Sequence, residues 1–221
     1  MKVIIFGATG MVGQSTLREC LLDEEVQEIV AVGRNRTAQQ HKKLNQIELN
    51  HISDLSSIEN KITGFDACFF CLGVSSAGMK EEEYIKITYD YTLSVANTLA
   101  RLNPQMTFIY VSGSGTDSSE KGRSMWARVK GKTENALLQL PFKEAYMFRP
   151  GAIIPLHGVK SKTKWYQFFY DVLKPLNSLL LKINSVITSE QIGKAMIEAA
   201  RKGYSKPIIE SNELKIISMR D

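Results

Sequence analysis

"VIIFGATGMVG", residues 3–13, is the stretch whose reading decides the fold. Residues 3–6 are a short, continuously apolar run, the pattern of a strand buried on both faces of a parallel sheet. The run ends in glycines at 7, 10 and 13, and from Met11 to Leu22 apolar residues recur at helical spacing. Strand, glycine turn and helix in that order predict a dinucleotide-binding turn. Gly7 allows the tight turn, Gly10 lets the backbone approach a pyrophosphate, and Gly13 lets the helix sit close to the sheet. The helix start adds free N–H groups and the positive end of its dipole.

Outward from this turn the rhythm repeats. Apolar runs at 29–32, around 47–49, at 66–72, 106–111 and 144–148 read as further strands. Helical patterns cover 80–102, closed by Pro104, and 124–140, stopped at Pro141, with a helix capped by Ser53 or Asp54 between the third and fourth strands. Strands that are apolar rather than alternating, interleaved with helices, predict an α/β Rossmann-like doubly wound parallel sheet. The chain reads as one domain over 1–221. Residues 155–186 break the rhythm with "WYQFFYDVL" and predict an irregular, small C-terminal substrate-side lobe. A helix at 190–201 and a weak strand near Ile208 or Ile216 close the chain.

A net charge of +5 invites nucleic acid, but the 28 basic residues are spread along the chain, so no nucleic-acid partner is expected. "DACFFCLG" places Cys68 and Cys71 at a C-x-x-C spacing on what reads as a buried strand. These thiols and Cys20 are expected as small buried hydrophobes, with no metal site. The apolar run after Lys2 is too short for a secretory leader, and no run is long enough to span a membrane. A cytoplasmic location is the default expectation.

The stretches "GATGMVG" (7–13), "FFCLG" (69–73), "VSGSG" (111–115), "VKGKTENAL" (129–137) and "FRPGAII" (148–154) occur in one order along the chain. With them the sequence resembles the atypical short-chain dehydrogenase/reductase family, in its Tat-interacting-protein-like oxidoreductase branch. The resemblance implies an NAD(P)-binding protein with a nicotinamide cofactor lying across the carboxyl ends of the strands. Gly7, Thr9, Gly10, Met11, Val12 and Gly13 would then hold the pyrophosphate. Leu72 and Gly73 would pass the adenosine side, and Pro150, Gly151 and Ala152 would border the nicotinamide. The acidic residue expected on the adenine side falls at His51, with Asp54 slightly later.

"VGRNR" ends the second strand without a carboxylate to accept a ribose diol. Arg34 and Arg36 stand there instead, so NADP is expected over NAD. In active members of the superfamily a serine polarises the carbonyl, a tyrosine passes the proton, and a lysine four residues on lowers its pKa and touches the ribose. Here Lys130 fits the lysine, but Trp126 occupies the tyrosine position, and an indole cannot shuttle a proton at neutral pH. Ser112 and Ser114 are both candidate hydroxyls, Ser112 slightly preferred. Tyr166 and Tyr170 are alternative proton sources. Two function classes follow. One is an NADP-dependent reductase of a small organic carbonyl with a nonstandard donor; the other is a noncatalytic NADP-binding redox sensor or protein-interaction module, with a protein partner.

Overall fold

The computed structural model describes residues 1–159 and 183–220. Among them a seven-stranded parallel sheet runs in the order β3-β2-β1-β4-β5-β6-β9. Its strands are β1 (Lys2–Phe6), β2 (Glu28–Gly33), β3 (Leu44–Glu48), β4 (Ala67–Phe70), β5 (Thr107–Val111), β6 (Glu144–Arg149) and β9 (Ile208–Glu210). A second pair, β7 (Ala152–Ile154) with β8 (Val186–Thr188), forms a small parallel sheet of its own. The helices are α1 (Met11–Leu22), α2 (Glu81–Ile85), α3 (Tyr91–Leu102), α4 (Met125–Leu137), α5 (Ser189–Lys202) and α6 (Ser211–Ile217). This is the predicted Rossmann-like α/β fold, with additional C-terminal helical and strand elements.

The period-2 geometry of strands explains the continuous apolar runs. On β1, Val3 and Ile5 enter one core with Leu17, Ile192 and Met196, beneath α1 and α5. Ile4 and Phe6 point the other way, into a core with Val95, Leu99 and Leu137 from α3 and α4. There the rings of Phe6, Phe70, Phe108 and Phe142 stack in series, with centroids 5.5, 5.9 and 4.9 Å apart. Each buried ring contributes about 1.5–3 kcal/mol of transfer free energy.

Several boundaries differ from expectation. The third strand begins earlier, because β2 sets its register with Ile29 opposite Leu44 and Gly33 opposite Glu48. The helix expected after Asp54 is a 3-10 turn, Ser56–Lys61, with the Asp54 carboxylate accepting the Ser56 N–H at 3.0 Å. The long helix over 80–102 is broken by a π-helical turn, Lys86–Asp90, whose Thr88 carbonyl accepts a bond from the buried Thr133 hydroxyl of α4. The last strand falls at Ile208, whereas Ile216 lies on α6. Most of the proposed lobe, including Tyr166 and Tyr170, lies outside the described residues.

Candidate active site

The strand order reverses at β1: β2 lies to one side and β4 to the other, and the crevice between the first turns beyond β1 and β4 is the switch point where such sheets bind ligands. A cavity of about 310 Å³ opens there. It is lined by Gly7, Thr9, Gly10, Arg34, Arg36, Leu72 and Gly73 among others, so the structure brings together the turn, the second-strand arginines and the "CLG" segment.

The three glycines of the turn differ in kind. Gly7 has φ +80°, and a Cβ on it would stand 2.7 Å from the backbone of Cys71 and Leu72. A Cβ on Gly13 would sit 2.2 Å from the Gly7 carbonyl, so α1 can start only where it does because residue 13 has no side chain. Gly10 meets nothing closer than 3.4 Å, and Gly73 meets nothing at all within 4 Å. Those two positions leave open backbone on the cavity side. Gly10 caps α1 without any side-chain bond to the first turn, so the N–H groups of Met11, Val12 and Gly13 are left for a ligand. Open glycine backbone beside an uncapped helix start fits a pyrophosphate.

On the adenosine side, Ile52 rather than Asp54 lines the cavity. Arg34 and Arg36 are exposed at its rim. Parallel pairing sets Glu48, at the end of β3, beside Gly33, and Arg36 Nε lies 3.4 Å from the Glu48 carboxylate. A carboxylate is therefore present at the carboxyl end of β2 in space, although the sequence at that end of the strand has none.

The corner expected to meet the nicotinamide is built by β5, α4 and β6. Trp126 and Lys130 share one face of α4. The Trp126 ring lies against the turn after β5, within 3.6 Å of where a Gly115 Cβ would stand. Lys130 Nζ donates to the Ser112 carbonyl. Burial pulls the Lys130 ammonium down to about 8, opposed by the Glu134 carboxylate. The Ser112 hydroxyl does not face the cleft. It is buried, donates to Glu134 Oε1 at 2.5 Å, and has the Phe148 carbonyl 3.1 Å away. Ser114 is exposed at the turn, its N–H bonded to the Pro150 carbonyl at 2.8 Å. Gly151 is pressed on Ser185, with a virtual Cβ 2.2 Å from that carbonyl, and Ala152 is exposed at the start of β7.

Two residues of this corner were not singled out from sequence. Glu134 is fully buried and Arg149 clamps it, Nε lying 3.1 and 3.2 Å from its two oxygens and Nη2 bonded to Oε2. Both stood inside the quoted motifs. The Lys130–Glu134 spacing of four was the available signal. Burial pushes the Cys20 and Cys68 thiols well up, and Cys71, half-buried at the cavity with Thr16 Oγ1 3.9 Å away, to about 12.

This fold and cleft define a class. The chain belongs to the NAD dependent epimerase/dehydratase family, whose model matches residues 3–124, more than half of the sequence. It is a dinucleotide-binding, oxidoreductase-like enzyme of the short-chain dehydrogenase and epimerase superfamily, and its cofactor is a nicotinamide dinucleotide. Among relatives, it is similar to Protein HTATIP2 of Rattus norvegicus, 27% identical over 155 residues, covering 69% of this chain and 63% of the rat protein. It is also similar to Protein fmp52, mitochondrial, of Emericella nidulans, 28% identical over 224 residues, covering 96% and 92%. Protein fmp52-2, mitochondrial, of Aspergillus terreus is 26% identical over 202 residues, covering 89% and 85%. Among solved structures, the fold matches WbmF of Bordetella bronchiseptica in complex with NAD+ (TM-score 0.67, 14% identity, 97% of this chain and 76% of that one). It matches MoeE5 in complex with UDP-glucose and NAD (0.68, 14%, 99% and 81%) and Gre2 of Candida albicans in complex with NADPH (0.70, 14%, 95% and 77%).

Two expectations are corrected here. NADP over NAD does not stand: proteins of this fold, WbmF and MoeE5 among them, hold NAD, and the Arg36 guanidinium that was to meet a 2′-phosphate sits beside Glu48. The inference failed because it followed one strand and not its neighbour. The cytoplasmic default does not stand either, since the fungal relatives are named as mitochondrial. The reasoning behind it weighed only a secretory leader and a spanning segment. Among the described residues no helix is long and apolar enough to cross a membrane.

Proposed function

We propose that the protein is an NAD-dependent oxidoreductase of a small organic carbonyl or the corresponding alcohol. The observation that carries this reading is the open cavity at the switch point, walled by the glycine turn and the Leu72–Gly73 segment. Bound NAD would supply the hydride acceptor, or in reduced form the hydride, at the nicotinamide end. The backbone of Gly7–Gly13 holds the pyrophosphate, Leu72 and Gly73 flank the adenosine, and Glu48 accepts from a ribose diol. Lys130 donates to the nicotinamide ribose, and Pro150, Gly151 and Ala152 border the ring.

Because the Ser112 hydroxyl is turned inward onto Glu134, Ser114 is the hydroxyl that polarises the substrate oxygen. Trp126 walls the nicotinamide end without giving a proton, which arrives from solvent water. The whole chain acts as one dinucleotide-binding domain, with 155–186 as the substrate-side lobe. The names of the fungal relatives support a mitochondrial setting.

The test is calorimetric titration with NADH and NADPH, followed by turnover of a carbonyl panel. NADH is expected to bind more tightly, and Glu48→Gln is expected to narrow the difference. Ser114→Ala is expected to lower turnover at least about tenfold. Tight NADH binding with no turnover of any carbonyl by wild type or Trp126→Tyr would instead favour a noncatalytic sensor, the reading that Trp126 itself suggests.

A further inference from the structure

The most heavily bonded side chain of the nicotinamide corner is one that the reading above does not use. Glu134, on α4, has no exposed surface, yet it carries the Arg149 guanidinium from β6 and the hydroxyl of Ser112, the residue after β5. Burying a carboxylate costs several kcal/mol that its partner does little more than return, and apolar residues of like volume would pack as well. Its arrangement therefore invites a role beyond cohesion. That arrangement is a chain. Glu134 fixes Ser112 through its hydroxyl, and the carbonyl of the same Ser112 receives Lys130 Nζ. The Ser112 N–H is bonded to the Phe148 carbonyl at 2.9 Å, so the acceptor of Lys130 is held at side chain and backbone alike.

We propose that Glu134 is a positioning residue: through Ser112, and against Arg149, its buried carboxylate holds and aims the Lys130 ammonium. The proposal rests on the reading of Lys130 as the group that holds the cofactor ribose. Four other groups could disturb Lys130 at this corner. They are Tyr110 on β5, fully buried; Tyr84 on α2, also buried; Arg149; and Glu210 at the end of β9, 3.6 Å from Arg149 Nη1. Both tyrosines stay neutral, because burial pushes their phenols up. Glu210 faces the far side of the Arg149 guanidinium, whose Nη2 also donates to Ser118 Oγ at 2.6 Å. Glu134 is thus the carboxylate that acts on Lys130, and its charge opposes the burial that would otherwise discharge the ammonium. An ammonium poised near neutrality without that support would release the cofactor as the pH rises.

The experiment uses the full chain without cofactor, its lysines reductively methylated with 13C, and follows Lys130 by nuclear magnetic resonance from pH 6 to 11. Substitution Lys130→Arg identifies the signal. In the parent the midpoint is expected at about 8. In Glu134→Gln it should fall by about one unit or more, and Glu134→Asp should restore most of the fall. On the same proteins NADH should bind about equally at pH 6, and about fivefold more weakly to Glu134→Gln at pH 8, following the lost fraction of charged Lys130. A folded Glu134→Gln with an unmoved Lys130 midpoint overturns the proposal and leaves Glu134 a structural crosslink. If the midpoint moves and NADH affinity does not follow, Glu134 positions Lys130 as proposed, and it is the ribose role of Lys130 that fails. Should Glu134→Gln not fold, the double variant Glu134→Gln/Arg149→Gln is compared with Arg149→Gln alone, so that only the carboxylate differs between the two, and an equal Lys130 midpoint in both overturns the proposal.

Discussion

Around the carboxyl ends of β1, β2 and β4 the protein builds its cleft from backbone: glycines at 7, 10 and 73, an uncapped helix start and a few rim side chains. Around β5, α4 and β6 it builds from buried charge, with Glu134, Arg149 and Lys130 joined through Ser112. The first half works by what is missing, since space and free N–H groups are left where side chains would be. The second works by what is held, since each polar atom is committed to a partner from another element. A half made of backbone tolerates changes of charge and fails on added volume. A half made of buried ions tolerates apolar replacement of the whole pair and fails when one partner is removed.

The largest expected effect tests the first half. Gly13→Val forces side-chain atoms into the Gly7 carbonyl, 2.2 Å from the nearest Cβ position, and should abolish NADH binding together with most of the stability. Calorimetry and thermal unfolding check it; a folded variant that still binds NADH would break the account of the turn.

Next comes the second half. Arg149→Met leaves the Glu134 carboxylate buried and unpaired and should cost about 3–5 kcal/mol in urea unfolding at pH 7. The double variant Glu134→Leu/Arg149→Met should recover most of that loss. A double variant as unstable as the single one would show that the pair is no isolated charge unit.

A smaller effect sharpens the contrast through pH. Burial lowers Lys130 to about 8 in the folded protein, from 10.5. Below pH 8 both folded and unfolded states carry the charge, and the burial penalty is paid in full. Between about 8 and 10.5 the unfolded state binds more protons, so this group adds stability as pH rises. The residue surface is only partly covered, so the penalty is discounted to about 1 kcal/mol. Lys130→Met should be more stable than the parent by that amount at pH 7, with the gain gone near pH 10.5. A gain that is constant with pH would mean that packing, not charge, is responsible.

The smallest expected effect is that of Trp126→Phe. The ring leans on the Gly115 turn and transfers no proton, so cofactor affinity and turnover should change less than about threefold. Loss of activity with folding and affinity intact would give the indole a chemical part.

The sheet and the turn were legible in the sequence because each depends on short-range pattern. Continuous apolar runs bury both strand faces, and the glycines mark where backbone must bend or be approached. Parts of the other half were legible as candidates, Lys130 by its spacing from Trp126, and Ser112 and Ser114, with Ser112 preferred, by their place after β5. The direction of the Ser112 hydroxyl was not, because it depends on Glu134 from a different element. The interruption of the helix over 80–102 by a π turn likewise depends on how that helix packs on α4.

The sequence by itself determined the doubly wound sheet, the phosphate turn and the absence of a phenol at position 126, because these follow from local spacing and residue chemistry. Only the tertiary structure decided which carboxylate stands at the end of β2 and that the Ser112 hydroxyl turns inward onto Glu134. The physical reason is one of distance: parallel register sets Glu48 beside Gly33, and the packing of α4 on β5 and β6 joins Ser112, Glu134 and Arg149. Electrostatic partners are chosen in space, and a sequence shows only those that share a strand or a helical turn.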